Sequence, residues 1–137
     1  LESQKMTEQE AECIRIRDIR RFVESGLGQR MKKAAMKKHL YREQPFVIQR
    51  SASMLDDGWK NETVLVQGII DAYFMEEEEI VLVDYKTDRV KRGQEQKLID
   101  LYHVQLEDYA RALERMTGKK VKEKIIYSFT LQKEILL

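Results

Sequence analysis

The chain has 137 residues, of which 42% are hydrophobic and 36% charged, and its formal net charge is +1. That length holds one domain with a real core, and no apolar run is long enough for a signal peptide or a membrane-spanning helix. Bulk charge does not mark a nucleic-acid binder, and the single cysteine, Cys13, excludes an internal disulfide or a multi-cysteine metal site.

That cysteine usage fits a reducing cytoplasm, with Cys13 expected as a buried, inert thiol. The chain opens on Leu1, which reads as a fragment whose natural N-terminus lies upstream. Residues 1–6 read as a tail. Thr7-Glu8-Gln9-Glu10 has capping-box spacing and opens a predicted helix ending near Val23. Ser25-Gly26 breaks that pattern and starts a second helix through about His39, with Leu27, Met31, Ala34 and Ala35 inward. Pro45 cannot donate to a ladder, so residues 45–50 are expected as an edge strand or a strand start. Asp56-Asp57-Gly58 marks a turn. Residues 64–75 read as a strand, 76–79 as an acidic turn and 80–86 as the return strand. A polar connection containing Gly93 follows. From about residue 97 to 117 the period is helical, with Leu98, Tyr102, Gln105, Leu106, Tyr109, Leu113 and Met116 on one stripe, and Gly118 ends it. Residues 121–131 close with a strand in which Ile125, Tyr127 and Phe129 alternate with Ile126 and Ser128. The order is helix, helix, three strands, long helix, strand, with no internal repeat.

The chemistry concentrates in the two central strands. Side chains at i and i+2 of a strand share a face. Asp84 and Lys86 therefore stand side by side, with Val81, Val83 and Tyr85 turned the other way. If the strands pair as a hairpin, Asp71 lies across from Asp84. Two carboxylates and an ammonium are the minimal parts of a magnesium-dependent phosphodiester hydrolase. Asp71 and Asp84 suit a hard cation, with the Tyr85 carbonyl as a third ligand, and the ion would polarise phosphate and activate water. Lys86 either orients that water or stabilises the transition-state charge. A bare Asp-x-Lys equally describes a strand-end cap with its paired lysine. Gln105 and Tyr109, one turn apart on the helical stripe, read either as a satisfied structural amide beside a core tyrosine or as a pair facing the site. Basic residues cluster at Arg15, Arg17, Arg20 and Arg21, at Arg30, Lys32, Lys33, Lys37 and Lys38, and at Lys86, Arg89, Lys91 and Arg92. Such clusters contact phosphates or form a solvated face.

Gly68-Ile69-Ile70-Asp71, Val83-Asp84-Tyr85-Lys86-Thr87-Asp88 and Gln105-Leu106-Glu107-Asp108-Tyr109-Ala110 resemble, in this order, the three consecutive motifs of the RecB-type nucleases in the PD-(D/E)XK superfamily. The combination is far more specific than any one of them. Leu27-Gly28-Gln29-Arg30-Met31 and Arg42-Glu43-Gln44-Pro45-Phe46 further resemble the C-terminal nuclease domain of AddA-type helicase-nucleases, and the likeness runs from about Phe22 to Phe129. The resemblance implies an α/β fold with a restriction-endonuclease-like core, a mixed sheet flanked by helices. It implies a single nuclease domain over residues 1–137, with 1–24 as a helical extension and 25–137 as the core. It carries metal binding to Asp71 and Asp84, the catalytic lysine to Lys86 and the accessory motif to Gln105 and Tyr109. Glu43 matches a recurrent acidic position, as salt-bridge partner or site contributor, while Thr87 and Asp88 shape the turn after the catalytic strand. The cofactor implied is Mg2+, with Mn2+ as a substitute, and ATP only for helicase domains elsewhere. The implied partners are DNA, an AddB-like partner protein and the helicase domains of a parent chain that processes double-strand ends. The family's upstream metal-ligating histidine has no counterpart here, because neither His39 nor His103 stands in its Gly-x-x-x-His setting, and its iron–sulfur cysteines are likewise missing. Rival readings are a silent nuclease-fold module that binds DNA or a partner, and a stand-alone RecB-like or CRISPR-associated exonuclease.

Overall fold

The computed structural model describes residues 16–51 and 63–137. The expected tail, the capping box at 7–10, Cys13 and the turn at 56–58 lie outside them. Helices α1 (Ile16–Glu24) and α2 (Gly26–Met36) meet at Ser25, whose hydroxyl accepts the Gly28 N–H at 3.0 Å and so satisfies one of the free donors of the first turn. Gly28 allows the close junction, since a Cβ there would lie 2.1 Å from the Phe22 carbonyl oxygen. Leu27, Met31 and Ala34 are buried, but Ala35 is exposed and α2 stops at Met36 rather than near His39. The Lys37 and Lys38 N–H groups bond back to Ala34 and Ala35, and Lys38 takes a φ of 60°, which turns the chain out of the helix.

Strands β1 (Leu40–Ser51), β2 (Thr63–Glu76) and β3 (Glu79–Lys86) follow, then α3 (Glu95–Thr117), β4 (Val121–Ser128) and β5 (Lys133–Leu136). They form one sheet in the order β1-β2-β3-β4-β5. Pairing is antiparallel except between β3 and β4, where α3 supplies the long crossover a parallel pair requires. Pro45 lies in the middle of β1, an edge strand, where its missing N–H costs no ladder bond on the open side. The closing strand ends at Ser128 instead of residue 131, and a four-residue turn leads into β5, a strand the sequence pattern does not announce. Only Ile135 of β5 is buried. One inward side chain carries too little alternation to reveal a strand.

The sheet separates two apolar layers. Leu98, Leu106 and Leu113 of α3 pack with Phe46, Ile70, Leu82 and Ile126 on one face. On the other, Leu27, Met31 and Ala34 of α2 pack with Phe74, Val81, Val83 and Tyr127, and Phe22 of α1 meets the Tyr127 ring edge-on at 4.7 Å. Met116, expected on the inward stripe of α3, is 49% exposed, and Leu113 is the last residue of the helix to be buried. Gly118 then takes a φ of 71° and its N–H bonds to the Glu114 carbonyl, as a helix stop should.

Candidate active site

The site originates in a change of face along the β1–β2 hairpin. Phe46, Ile48 and Ile70 belong to the α3-side core, whereas Ala72 and Phe74 belong to the α2-side core. All five are even-numbered, so the inward parity reverses between Ile70 and Ala72. The reversal coincides with Glu43, which falls between the pairs Arg42↔Ala72 and Gln44↔Ile70 and has a φ of 49°. A left-handed residue in a strand redirects the side chains beyond it, as in a bulge. Asp71 lies opposite that point. The β2–β3 pairing ends one step away, at Ala72↔Val83, while β3 stays joined to β4 through Lys86↔Ser128. Beyond Ala72 the Tyr85 N–H is taken up by the Asp71 carboxylate at 2.9 Å, so a side chain replaces the lost ladder partner. The strands thus part where Asp84 stands.

Asp84 and Lys86 share the α3 face, with Lys86 Nζ 2.9 Å from Asp84 Oδ2 and side-chain exposures of 14% and 4%. Oδ2 is buried and has no hydrogen-bond partner among the described residues, so the lysine is a charge neighbour outside hydrogen-bonding geometry. Burial pushes the Asp84 carboxyl up to about 7; the Lys86 charge opposes this and the Asp71 charge adds to it. Desolvation therefore outweighs the ion pair. Lys86 donates to Gln105 Oε1 at 3.1 Å and lies 3.9 Å above the Tyr102 ring, a cation–π contact. Tyr102 in turn donates to Asp88 at 2.7 Å.

Tyr109 is buried against Phe46, ring centroids 5.0 Å apart and edge-on, and its hydroxyl is raised by burial and then by the Asp84 and Asp71 charges. Gly68 makes room for this pair, since a Cβ would press on the Phe46 ring at 3.0 Å. Tyr85, half-buried on the opposite face, has its hydroxyl pushed up to about 12 by burial.

The structure therefore gathers Asp71, Asp84, Lys86, Gln105 and Tyr109 around the end of β3. Glu43 is exposed on the neighbouring strand, across from Asp71. Thr87 accepts from the Thr130 hydroxyl at 3.3 Å, which ties the turn after β3 to the one after β4. His39 lies exposed beyond α2, and His103 faces solvent 3.6 Å from Glu107. Among the described residues no three His, Cys, Asp or Glu side chains converge as a metal site. Arg30, grouped in the sequence with candidate phosphate contacts, is committed to Glu76 and Glu123 instead. Sequence reasoning missed the supporting roles of Phe46, Gly68, Tyr102 and Asp88. Tyr102 was visible only as one more member of the α3 stripe, although its place three residues before Gln105 sets both on one side of the helix.

A mixed sheet that carries a carboxylate pair and a lysine where its central strands part, backed by a Gln and a Tyr from the crossover helix, defines a nuclease-type α/β domain. The chain belongs to the PD-(D/E)XK nuclease superfamily, which matches residues 3–135. It is similar to an ATP-dependent helicase/nuclease subunit of Clostridium novyi, 40% identical over 140 residues, covering 98% of this chain and 11% of that protein. The protein of the same name from Thermoanaerobacter sp. (strain X514) is 44% identical over 128 residues, and that of Acetivibrio thermocellus 46% over 129 residues; each alignment covers 90% of this chain and 10% of the relative. The chain thus spans about a tenth of the length of these relatives.

Proposed function

We propose that this chain is a metal-dependent deoxyribonuclease domain that cuts phosphodiester bonds by in-line attack of water, as the nuclease part of an AddA-type helicase-nuclease. The residues fit a divalent cation: a buried carboxylate oxygen with no hydrogen bond among the described residues stands beside a second carboxylate at a place where two strands part. Asp71, Asp84 and the Tyr85 carbonyl would hold the ion, Mg2+ or Mn2+, leaving the rest of its coordination to water and substrate oxygens. When bound, it would supply Lewis-acid activation of water and neutralise charge on the phosphate.

The chain's own groups do the remaining work. Lys86 holds a positive charge beside the carboxylates, fixed by Gln105 and the Tyr102 face, where negative charge develops in the transition state. The Asp71 bond to the Tyr85 N–H fixes one carboxylate, so little reorganisation is needed on substrate binding. In the parent enzyme, helicase domains driven by ATP and an AddB-like partner would feed single strands from a double-strand break into this site. The likeness to the helicase/nuclease relatives over nearly the whole chain supports that context. Residues 25–137 would form the nuclease core and 1–24 its helical extension.

The carrying observation is the buried, ionisable Asp84 beside Lys86. The test is degradation of linear single-stranded DNA with Mg2+ or Mn2+, beside Asp84→Ala. Metal-dependent cutting should vanish in the variant; cutting that persists unchanged would refute the site.

A further inference from the structure

Beside the carboxylates runs a groove of about 530 Å³ between the β1–β2 hairpin and α3. Its walls are Val66 on the strand side, on the face that Gly68 and Ile70 share, and Val104 on the helix side, and the buried rings of Phe46 and Tyr109 close one end. Gly68 adds nothing to fill it. The groove is continuous with the proposed site, because Gln105 both lines it and accepts the Lys86 hydrogen bond. Tyr109 likewise belongs to both, since its hydroxyl feels the Asp84 and Asp71 charges. Val104 is 42% exposed, a cost that a transient occupant would remove.

Resting on the nuclease reading, we infer that this groove seats one unstacked nucleobase of the strand being cut, next to the scissile phosphate. The chemistry suits a base rather than an aliphatic or a charged ligand. Apolar side chains and aromatic edges accept the faces of a flat ring, which every base presents. The Gln105 amide and the Asp108 carboxylate, 4.0 Å from Arg111, offer both donors and acceptors to its edge. A mixed edge of that kind does not choose among bases, as a nuclease of general sequence requires. Size also decides. A cleft between one helix and two strands admits a single ring, so a base paired in a duplex must first leave its stack. The groove would thereby favour single strands, with selectivity residing in base access rather than in phosphate contacts.

The test uses the chain with Asp84→Asn, which should not cut, and two single-stranded probes of equal length. One is oligothymidylate; the other has the same backbone with every base replaced by a tetrahydrofuran abasic residue. The base-bearing strand should bind about tenfold or more tightly than the abasic one, the scale of one base packed against protein rings. Val104→Trp, and independently Val66→Trp from the opposite wall, should lower the affinity for oligothymidylate to that of the abasic strand and leave the abasic strand unaffected. Equal binding of the two strands, or a ratio untouched by either tryptophan, would overturn the groove while metal-dependent cutting by the unsubstituted chain kept the nuclease reading. Failure to bind either strand, together with no cutting, would sink both.

Discussion

Two charged clusters sit at opposite ends of the same strands, and they have resolved their electrostatics in opposite ways. At the hairpin end, Arg30 reaches Glu76 at 2.8 Å and Glu123 at 2.7 Å, and Lys122 adds a third contact to Glu76 at 3.1 Å. The Arg30 hydrogen bond holds the Glu76 carboxyl down to about 2, and the two carboxylates raise Arg30 further. Five residues earlier on β2, roughly 17 Å away along the strand at ~3.3 Å per residue, Asp71 marks the other cluster. There burial lifts Asp84 to about 7 despite a lysine at 2.9 Å. One cluster is a finished ion-pair network that only the folded chain needs. The other carries a desolvation cost that Lys86 only partly offsets and that a cation would relieve. On the proposed function, like residue types serve as glue in one place and as chemistry in the other, and what separates them is hydrogen-bond satisfaction, not charge.

Matched substitutions at the two ends should separate these roles most sharply. Lys86→Met should reduce cleavage by about 10²–10³-fold, the scale of removing one preorganised charge, while Arg30→Met should leave cleavage within a few-fold. Parallel rates of DNA degradation decide it. Stability should respond the other way round. Arg30→Met takes the guanidinium from both Glu76 and Glu123, leaving Glu76 with Lys122, and should cost about 1–3 kcal/mol in a denaturant titration.

Asp84→Asn should instead stabilise the metal-free chain at neutral pH. The raised carboxyl means that the folded chain holds its proton more tightly than the unfolded one. The penalty is absent below the ordinary carboxylate range, grows as pH rises and is complete above about 7. The gain, on the order of 1–2 kcal/mol after discounting the lost Lys86 partner, should be seen in Tm at pH 8 and vanish near pH 4. At the hairpin end the sign reverses. The lowered Glu76 carboxyl contributes stability that is present above 4.5 and lost as pH falls through about 2, and Arg30→Met should flatten that limb. The smallest effect lies in the turn itself. Glu77 and Glu78 take φ of 50° and 71°, a left-handed pair that glycine and asparagine favour. Glu77→Gly should raise stability by about 0.5–1 kcal/mol without touching cleavage, whereas Glu78 is held to Lys119.

The placement of the residues was largely legible in the sequence at the Asp84 end and little at the other. Alternation placed Asp84 and Lys86 on one face, and the hairpin set Asp71 across from Asp84, because period-2 geometry is local. The stripe on α3 put Gln105 and Tyr109 where they are found for the same reason. What the sequence did not disclose depends on contacts between distant segments. Nothing in Arg30 distinguishes it from its basic neighbours until α2 is laid over Glu76 and Glu123. The face reversal at Glu43 and Asp71 leaves no mark in the pattern, because Ile70 and Ala72 on either side of it are both apolar and buried, on opposite faces. Strand β5 was lost because a single buried residue, Ile135, carries it.

The poised state of Asp84 can be read by a carbon-13 titration of its side-chain carboxyl, followed by NMR with and without Mg2+, and with Glu76 as the internal comparison. Asp84 should titrate near 7 in the metal-free chain and fall when Mg2+ is added, while Glu76 stays near 2 and does not respond. An Asp84 carboxyl with an ordinary value that ignores Mg2+ would contradict the claim that this end of the strands is the reactive one.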